Sequence, residues 1–286
     1  MADVITGNTQ LAATKQDVIS ALVARELKQK AILVPTLTDV SAFAVAGMKS
    51  ISFPKTGSLT VENRASGASG NAQTLSFTND TLSLDTNAYI SWIVDNVDQY
   101  QANVNVQAEF VKRAASAHAR NLDDTILTQL DTYSGYQQAA GIDKSKILNA
   151  RKWLLKNQAQ VSDMVLVVNP DDEALLLDIA EFVRADAYGS SNIGSGVLGK
   201  IYGIPVMVHT KATLAKSFLY SKEAIAFGLQ LAPKYDEQKA IQYGTGSMLA
   251  AIDQHYGFKA LRLTEGLDSA GAALAAGKSP FIAEIG

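Results

Sequence analysis

Four groups of residues in this chain stand at spacings that chemistry uses. From Tyr188 to Val206 the sequence reads YGSSNIGSGVLGKIYGIPV, in which Gly194, Gly196 and Gly199 satisfy GxGxxG and Gly199-Lys200 ends one residue short of a Walker A loop. Such glycines bring a backbone close to phosphate oxygens, with the N-terminus of the next helix supplying amides. Tyr235 and Lys239 have the four-residue spacing of short-chain dehydrogenases. Asp171-Asp172-Glu173 is a carboxylate run of the kind that binds hard cations. His118, His209 and His255 are the groups whose protonation changes near neutral pH.

Context decides between these chemistries. A dinucleotide fingerprint needs a strand before its glycines and a helix after them. Here a helix pattern ends near Ala187 and the strand pattern KIYGIPVMVH follows, so the order is reversed, and Ile201 stands where a Walker loop needs Ser or Thr for magnesium. The stretch therefore reads as a flexible helix-to-strand loop. The Tyr235/Lys239 pair lacks an N-terminal nucleotide-binding βα unit and reads as coincidence. Asn169, Pro170 and the three carboxylates make a helix start: an Asn N-cap, Pro at the first position and negative charge at the positive dipole end. The histidines form no HxxxH pair and read as core or interface residues. A Ser/His/Asp triad stays open on sequence alone, although Gly194-Ser195-Gly196 lacks the strand-turn-helix setting of a nucleophile elbow.

Composition narrows the classes further. The chain has 286 residues, 47% hydrophobic and 19% charged, with a net charge of −3 and no cysteine. Disulfides, thiolate metal sites and a cysteine nucleophile are thereby excluded, in keeping with a reducing compartment. No Lys/Arg run reaches five residues, so the footprint of a protein that grips nucleic acid is missing. The start, MADVITGNTQ, has no signal-peptide pattern, and no apolar run approaches the ~18 residues of a membrane span. A soluble protein with no cofactor is expected.

The elements that must position these groups follow from periodicity. Val18, Leu22 and Leu27 within Thr14 to Ala31 predict an amphipathic helix, packed on its own domain or reaching a neighbour. From Lys49 the period becomes two: Ile51/Phe53, Leu75/Phe77 and Leu82/Leu84 alternate with Ser and Thr around the tip ENRASGASGNAQ. A long hairpin, about Phe53 to Ala88, results. It carries few large apolar residues, and an isolated ribbon is marginal in water, so it lies on its own body or on another copy. Val104, Ala108, Val111, Ala115, His118, Leu122 and Ile126 then mark one face of a spine helix of about 30 residues, ~45 Å long. Its opposite face holds Lys112, Arg113, Arg120, Asp123 and Asp124. An α/β subdomain spans about Gly141 to Tyr243, and SMLAAIDQHYGFKALRL returns as an extended stretch.

In that order, these elements resemble the major capsid (coat) protein of tailed double-stranded DNA bacteriophages, a fold shared with herpesvirus capsid floors and encapsulins. ISFPKTGSLTVEN and YISWIVDNVDQYQANVNVQAEFVKRAASAHARNLDDTIL carry the likeness for loop and spine. VLVVNPDDEALLLD, GKIYGIPVMVHT and YSKEAIAFGLQ carry it for the axial subdomain, and GSMLAAIDQHYGFKALR for the return.

The resemblance implies an α+β chain divided into an N-terminal arm and start of the peripheral domain (1–48), an extended loop with flanking strands (49–97), a spine helix (98–140), an axial domain (141–246), a return strand (247–266) and a C-terminal tail (267–286). It implies hexamers and pentamers of an icosahedral, non-enzymatic shell around packaged DNA, located in the virion after assembly in the host cytoplasm. Phe53, Lys55, Leu59, Val61, Arg64, Leu75, Phe77, Leu82 and Leu84 are the inter-subunit contact candidates. Gly189, Gly194, Gly196 and Gly199 mark an axial loop whose flexibility would serve both ring sizes. About 30 residues precede the body, which implies a separate scaffolding protein, beside a portal and a cement or decoration protein. Some relatives crosslink a loop lysine to a neighbour's asparagine; Lys55 is the ribbon's lysine, but nothing in the sequence identifies its partner. An encapsulin-type shell is the alternative. More distant are a tail-tube or surface-lattice protein and an α/β nucleotide-binding enzyme using the Gly194–Gly199 loop.

Overall fold

The computed structural model describes residues 19–23, 25, 27, 31–56, 61, 63–67, 69–70, 72–74, 77–94, 106–139, 141–178, 197–209, 211, 215–243, 247–263 and 265–286. In chain order these form β1 (Thr38–Asp39), β2 (Ser50–Thr56), β3 (Phe77–Ser83), β4 (Thr86–Val94) and the helix α1 (Val106–Tyr133). Next come β5 (Ser134–Gln137), α2 (Lys144–Lys156), β6 (Met164–Val168) and α3 (Pro170–Leu177). Then follow β7 (Val197–Ile201), β8 (Ile204–Val208), β9 (Ser217–Ser221), β10 (Ile225–Lys239), β11 (Met248–Ala260) and β12 (Ser279–Ile285).

Three sheets result: β1-β10-β11-β4, β5-β12-β9-β6-β8-β7, and the pair β2-β3. The six-stranded sheet is built around β12, β9 and β6, in which every residue is buried. Strands covered on both faces read as unbroken apolar runs, as MVLVV does. The main core packs this sheet against α2 and the second half of α1 through Leu122, Ile126, Leu130, Trp153 and Phe281.

The spine helix is 28 residues long. Val111, Ala115, His118, Leu122 and Ile126 are buried as their spacing predicts, while Ala108 is exposed and Val104 lies outside the described residues. Ser116, Thr125, Thr128 and Thr132 satisfy their hydroxyls on carbonyls four residues back, so they stay compatible with the helix. Asp123 departs from the sequence reading. It does not sit on a solvated face; it turns inward to accept the N–H groups of Ile32 and Leu33. Within the predicted N-terminal helix, residues 19–23, 25 and 27 are helical. Val23 packs against Val111, Ala115 and Tyr235 of its own chain.

Two expected boundaries are corrected. Residues 267–286 are not a tail, because β12 lies inside the six-stranded sheet, parallel to β5 and antiparallel to β9. Its sequence SPFIAEI buries every side chain, with Glu284 satisfied by Lys216 and Gln137. Residues 225–239 likewise leave the axial subdomain: β10 pairs with β11 and β1 in the four-stranded sheet.

Candidate functional site

The ribbon is the element that sequence reasoning singled out for function, and its root and its outer part differ. Strands β2 and β3 pair from Ser50↔Ser83 to Thr56↔Phe77, and among the described residues neither pairs with a further strand. At the root, Ile51, Leu82 and Leu84 are buried with Val40, Ala44 and Ala226, and Phe53 packs half-buried against them. Farther out the apolar residues face solvent: Phe77 is 70% exposed and Val61 91%. Arg64 is exposed too, and Leu59 and Leu75 lie outside the described residues.

This corrects part of the contact set. Leu82 (0% exposed) and Leu84 pack inside their own subunit, so they anchor the ribbon and are not free to meet a neighbour. Lys55 is also engaged within the chain. Its ammonium lies 2.7 Å from Asp80 and 3.2 Å from Glu265, and Asp80 accepts the Arg262 N–H at 3.0 Å. Arg262 itself has φ 52°, a left-handed conformation uncommon for a side-chain-bearing residue, and its guanidinium sits over the Phe281 ring at 5.3 Å. A polar latch thus ties the middle of the ribbon to the turn after β11.

Sequence reading missed what the root rests on. Gly228 of β10 and Gly257 of β11 are register partners, and Leu82 lies against both. The available signal was a glycine set among large residues in each strand, AFGLQ and HYGFK, which marks close backbone approach. Its meaning depends on a pairing between residues 29 positions apart.

The other chemical candidates resolve into structural roles. Gly199 lies in β7 paired to Val206, not in a flexible loop, and β7 turns through Tyr202-Gly203 into β8. A strand, not a helix N-terminus, therefore follows the glycines. Gly189, Gly194 and Gly196 lie outside the described residues. Asn169 caps α3 by accepting the Asp172 N–H at 2.7 Å. The buried Asp172 carboxylate accepts from Ile142 N–H, Asn169 Nδ2 and Ser217 Oγ. Tyr235 donates its hydroxyl to Glu237 and packs against Trp92. His118 and His209 are buried, which lowers the pKa of each. His209 Nε2 meets the Lys216 carbonyl at 3.0 Å, and His255 Nδ1 meets Gln230 Oε1 at 2.8 Å. A 680 Å³ cleft between the ribbon root and the 262–267 turn is lined by Lys55, Lys156, Arg262 and Glu265.

A rooted two-stranded ribbon, a spine helix and two larger sheets joined by a crossing chain make up an architecture shared with phage capsid structures. The chain belongs to the phage capsid protein family, whose profile matches residues 39–274. Solved structures agree in fold. A structure titled Mycobacterium phage Che8 superposes with a TM-score of 0.68 at 17% identity, covering 89% of this chain and 90% of that one. Microbacterium phage Oxtober96 gives 0.64 at 13% identity, covering 90% of each. A virus-like particle from Pyrococcus furiosus gives 0.60 at 8% identity, covering 95% of this chain and 99% of that one. No curated protein matches the sequence. The chain is a structural protein of the virion capsid, and among the described residues no helix is long and apolar enough to cross a membrane.

Proposed function

We propose that copies of this chain assemble into the hexamers and pentamers of an icosahedral head that encloses packaged double-stranded DNA. The observation that carries this reading is the division of the ribbon. Its root is buried in its own subunit, and its outer part presents Phe77 and Val61 to solvent with both strand edges unpaired among the described residues. A two-stranded ribbon of that kind is marginal without a covering surface, and a neighbouring copy supplies one. The contact is heterologous, so repetition closes it into rings. Several modest contacts per subunit then multiply into a stable shell. A net charge of −3 suits a container that must not clamp its polyanionic content. A separate scaffolding protein, a portal and a decoration protein complete the particle, and assembly takes place in the host cytoplasm.

The test is velocity sedimentation of the protein expressed alone and with its candidate scaffolding protein. A fast, homogeneous species in either case supports the reading, and a persistent monomer in both contradicts it. A shell that stores protein cargo in place of a genome is the second reading; the fold overlaps 95% of this chain with a structure titled a virus-like particle. Nuclease-resistant DNA inside native particles argues for the head, and a stoichiometric co-purifying enzyme for the compartment.

A further inference from the structure

Register partners in an antiparallel pair point their side chains to one face of the sheet. At Gly228 and Gly257 that face lies beneath the ribbon root. Neither residue has a left-handed φ, so backbone conformation does not call for glycine. Space does. A Cβ at Gly228 would stand 3.3 Å from Leu84 Cδ2 and 3.4 Å from Leu82 Cδ2, contacts with the ends of side chains that can shift. A Cβ at Gly257 would stand 2.1 Å from the backbone oxygen of Ser83. Only movement of the main chain relieves that clash. Ser83 is the last residue of β3, and the next residue, Leu84, donates its N–H to the Lys49 carbonyl just before β2. Both strands therefore move with it.

We infer that Gly257 is a positioning residue for assembly: it lets the ribbon root lie flat on the sheet and so sets the direction in which the outer ribbon reaches a second copy. This rests on the reading of the ribbon as an inter-subunit element. Relieving the clash needs a lift of about 1 Å at the root. Over a base of two residues, ~7 Å, that tilts the ribbon by about 8° and moves a point ~20 Å farther out by about 3 Å. A displacement of that size takes Phe77 and Val61 off a packed partner surface. The Lys55–Asp80–Glu265 latch holds the same face of the ribbon farther out along the strands, so seat and latch fix the direction from two points.

The experiment compares wild type, Gly228→Ala, Gly257→Ala and Gly228→Val in the full chain. The protein has no cysteine, so Val61→Cys and Ile241→Cys, both at exposed positions, label cleanly for a tip-to-body distance in unassembled protein. Electron microscopy of assembly reactions gives shell yield and diameter. Gly228→Ala should keep the wild-type distance and shells. Gly257→Ala should stay folded, shift the distance by several ångströms and reduce closed shells at least tenfold. Gly228→Val, which lifts the root through side chains, should do the same and stands in where Gly257→Ala does not fold. An unchanged distance with wild-type shells in the lifting variants overturns the inference. A wild type that forms no shells counts against the proposed function, while the distance still tests the seat.

Discussion

The carboxylate of Asp123, in the middle of the spine helix, accepts the backbone N–H of Leu33 at 3.1 Å, and its second oxygen accepts that of Ile32. A single half-buried acid thus pins the segment entering the body to the helix that organises it.

Burial, reinforced by neighbouring Asp124, raises the Asp123 pKa from 3.8 to about 6 despite those two N–H bonds. A raised folded-state pKa means that the native protein holds this proton more tightly than the unfolded chain. Its contribution to stability is therefore full below about pH 4 and is lost as pH rises through about 6, on the order of 2–3 kcal/mol. Asp123→Asn should flatten the slope of Tm against pH between 4 and 6. An unchanged slope would mean that another group titrates there.

Asp172 receives three donors in a buried setting. Asp172→Ala leaves all three without a partner and should cost about 3 kcal/mol or more, a fall in Tm of roughly 6–12 °C in unassembled protein. A wild-type Tm measured by calorimetry would show that the carboxylate does not hold the fold.

The two parts of the ribbon should separate in mutagenesis. Leu82→Ala empties a buried site and should destabilise the unassembled subunit by about 2–5 kcal/mol. Phe77→Ser, at an exposed position, should leave that stability within about 0.5 kcal/mol while impairing assembly. Denaturant melts alongside shell yield read both effects, and a Phe77→Ser variant that assembles normally would remove Phe77 from the contact.

The latch has its own readout. Because Asp80 accepts the Arg262 N–H, Asp80→Ala should speed hydrogen exchange at Arg262 at least tenfold while amides of β6 and β9 stay protected. Unaltered exchange would mean that the amide is guarded by something else.

Much of this architecture was legible because the patterns are long or local. The spine was visible in a seven-residue stripe running over about six turns, and the start of α3 in Asn169-Pro170 followed by acids. Strand β12 was hidden because SPFIAEI is short, follows a Gly/Ala-rich stretch and carries Glu284, whose burial depends on Lys216 and Gln137, far away in sequence. Likewise, alternation showed that Leu82 and Leu84 share a face, but not that this face meets Gly228 and Gly257. Which surface a strand covers is decided by register, and register is a property of the fold.

The most direct test of the whole account is a cryo-electron microscopy reconstruction of the particle formed by this chain. Closed icosahedral shells in which each ribbon is rooted on its own Gly228/Gly257 seat, with Phe77 and Val61 buried against an adjacent copy, are the predicted result. A monomer under every assembly condition, or shells whose ribbons fold back on their own subunits, would contradict it.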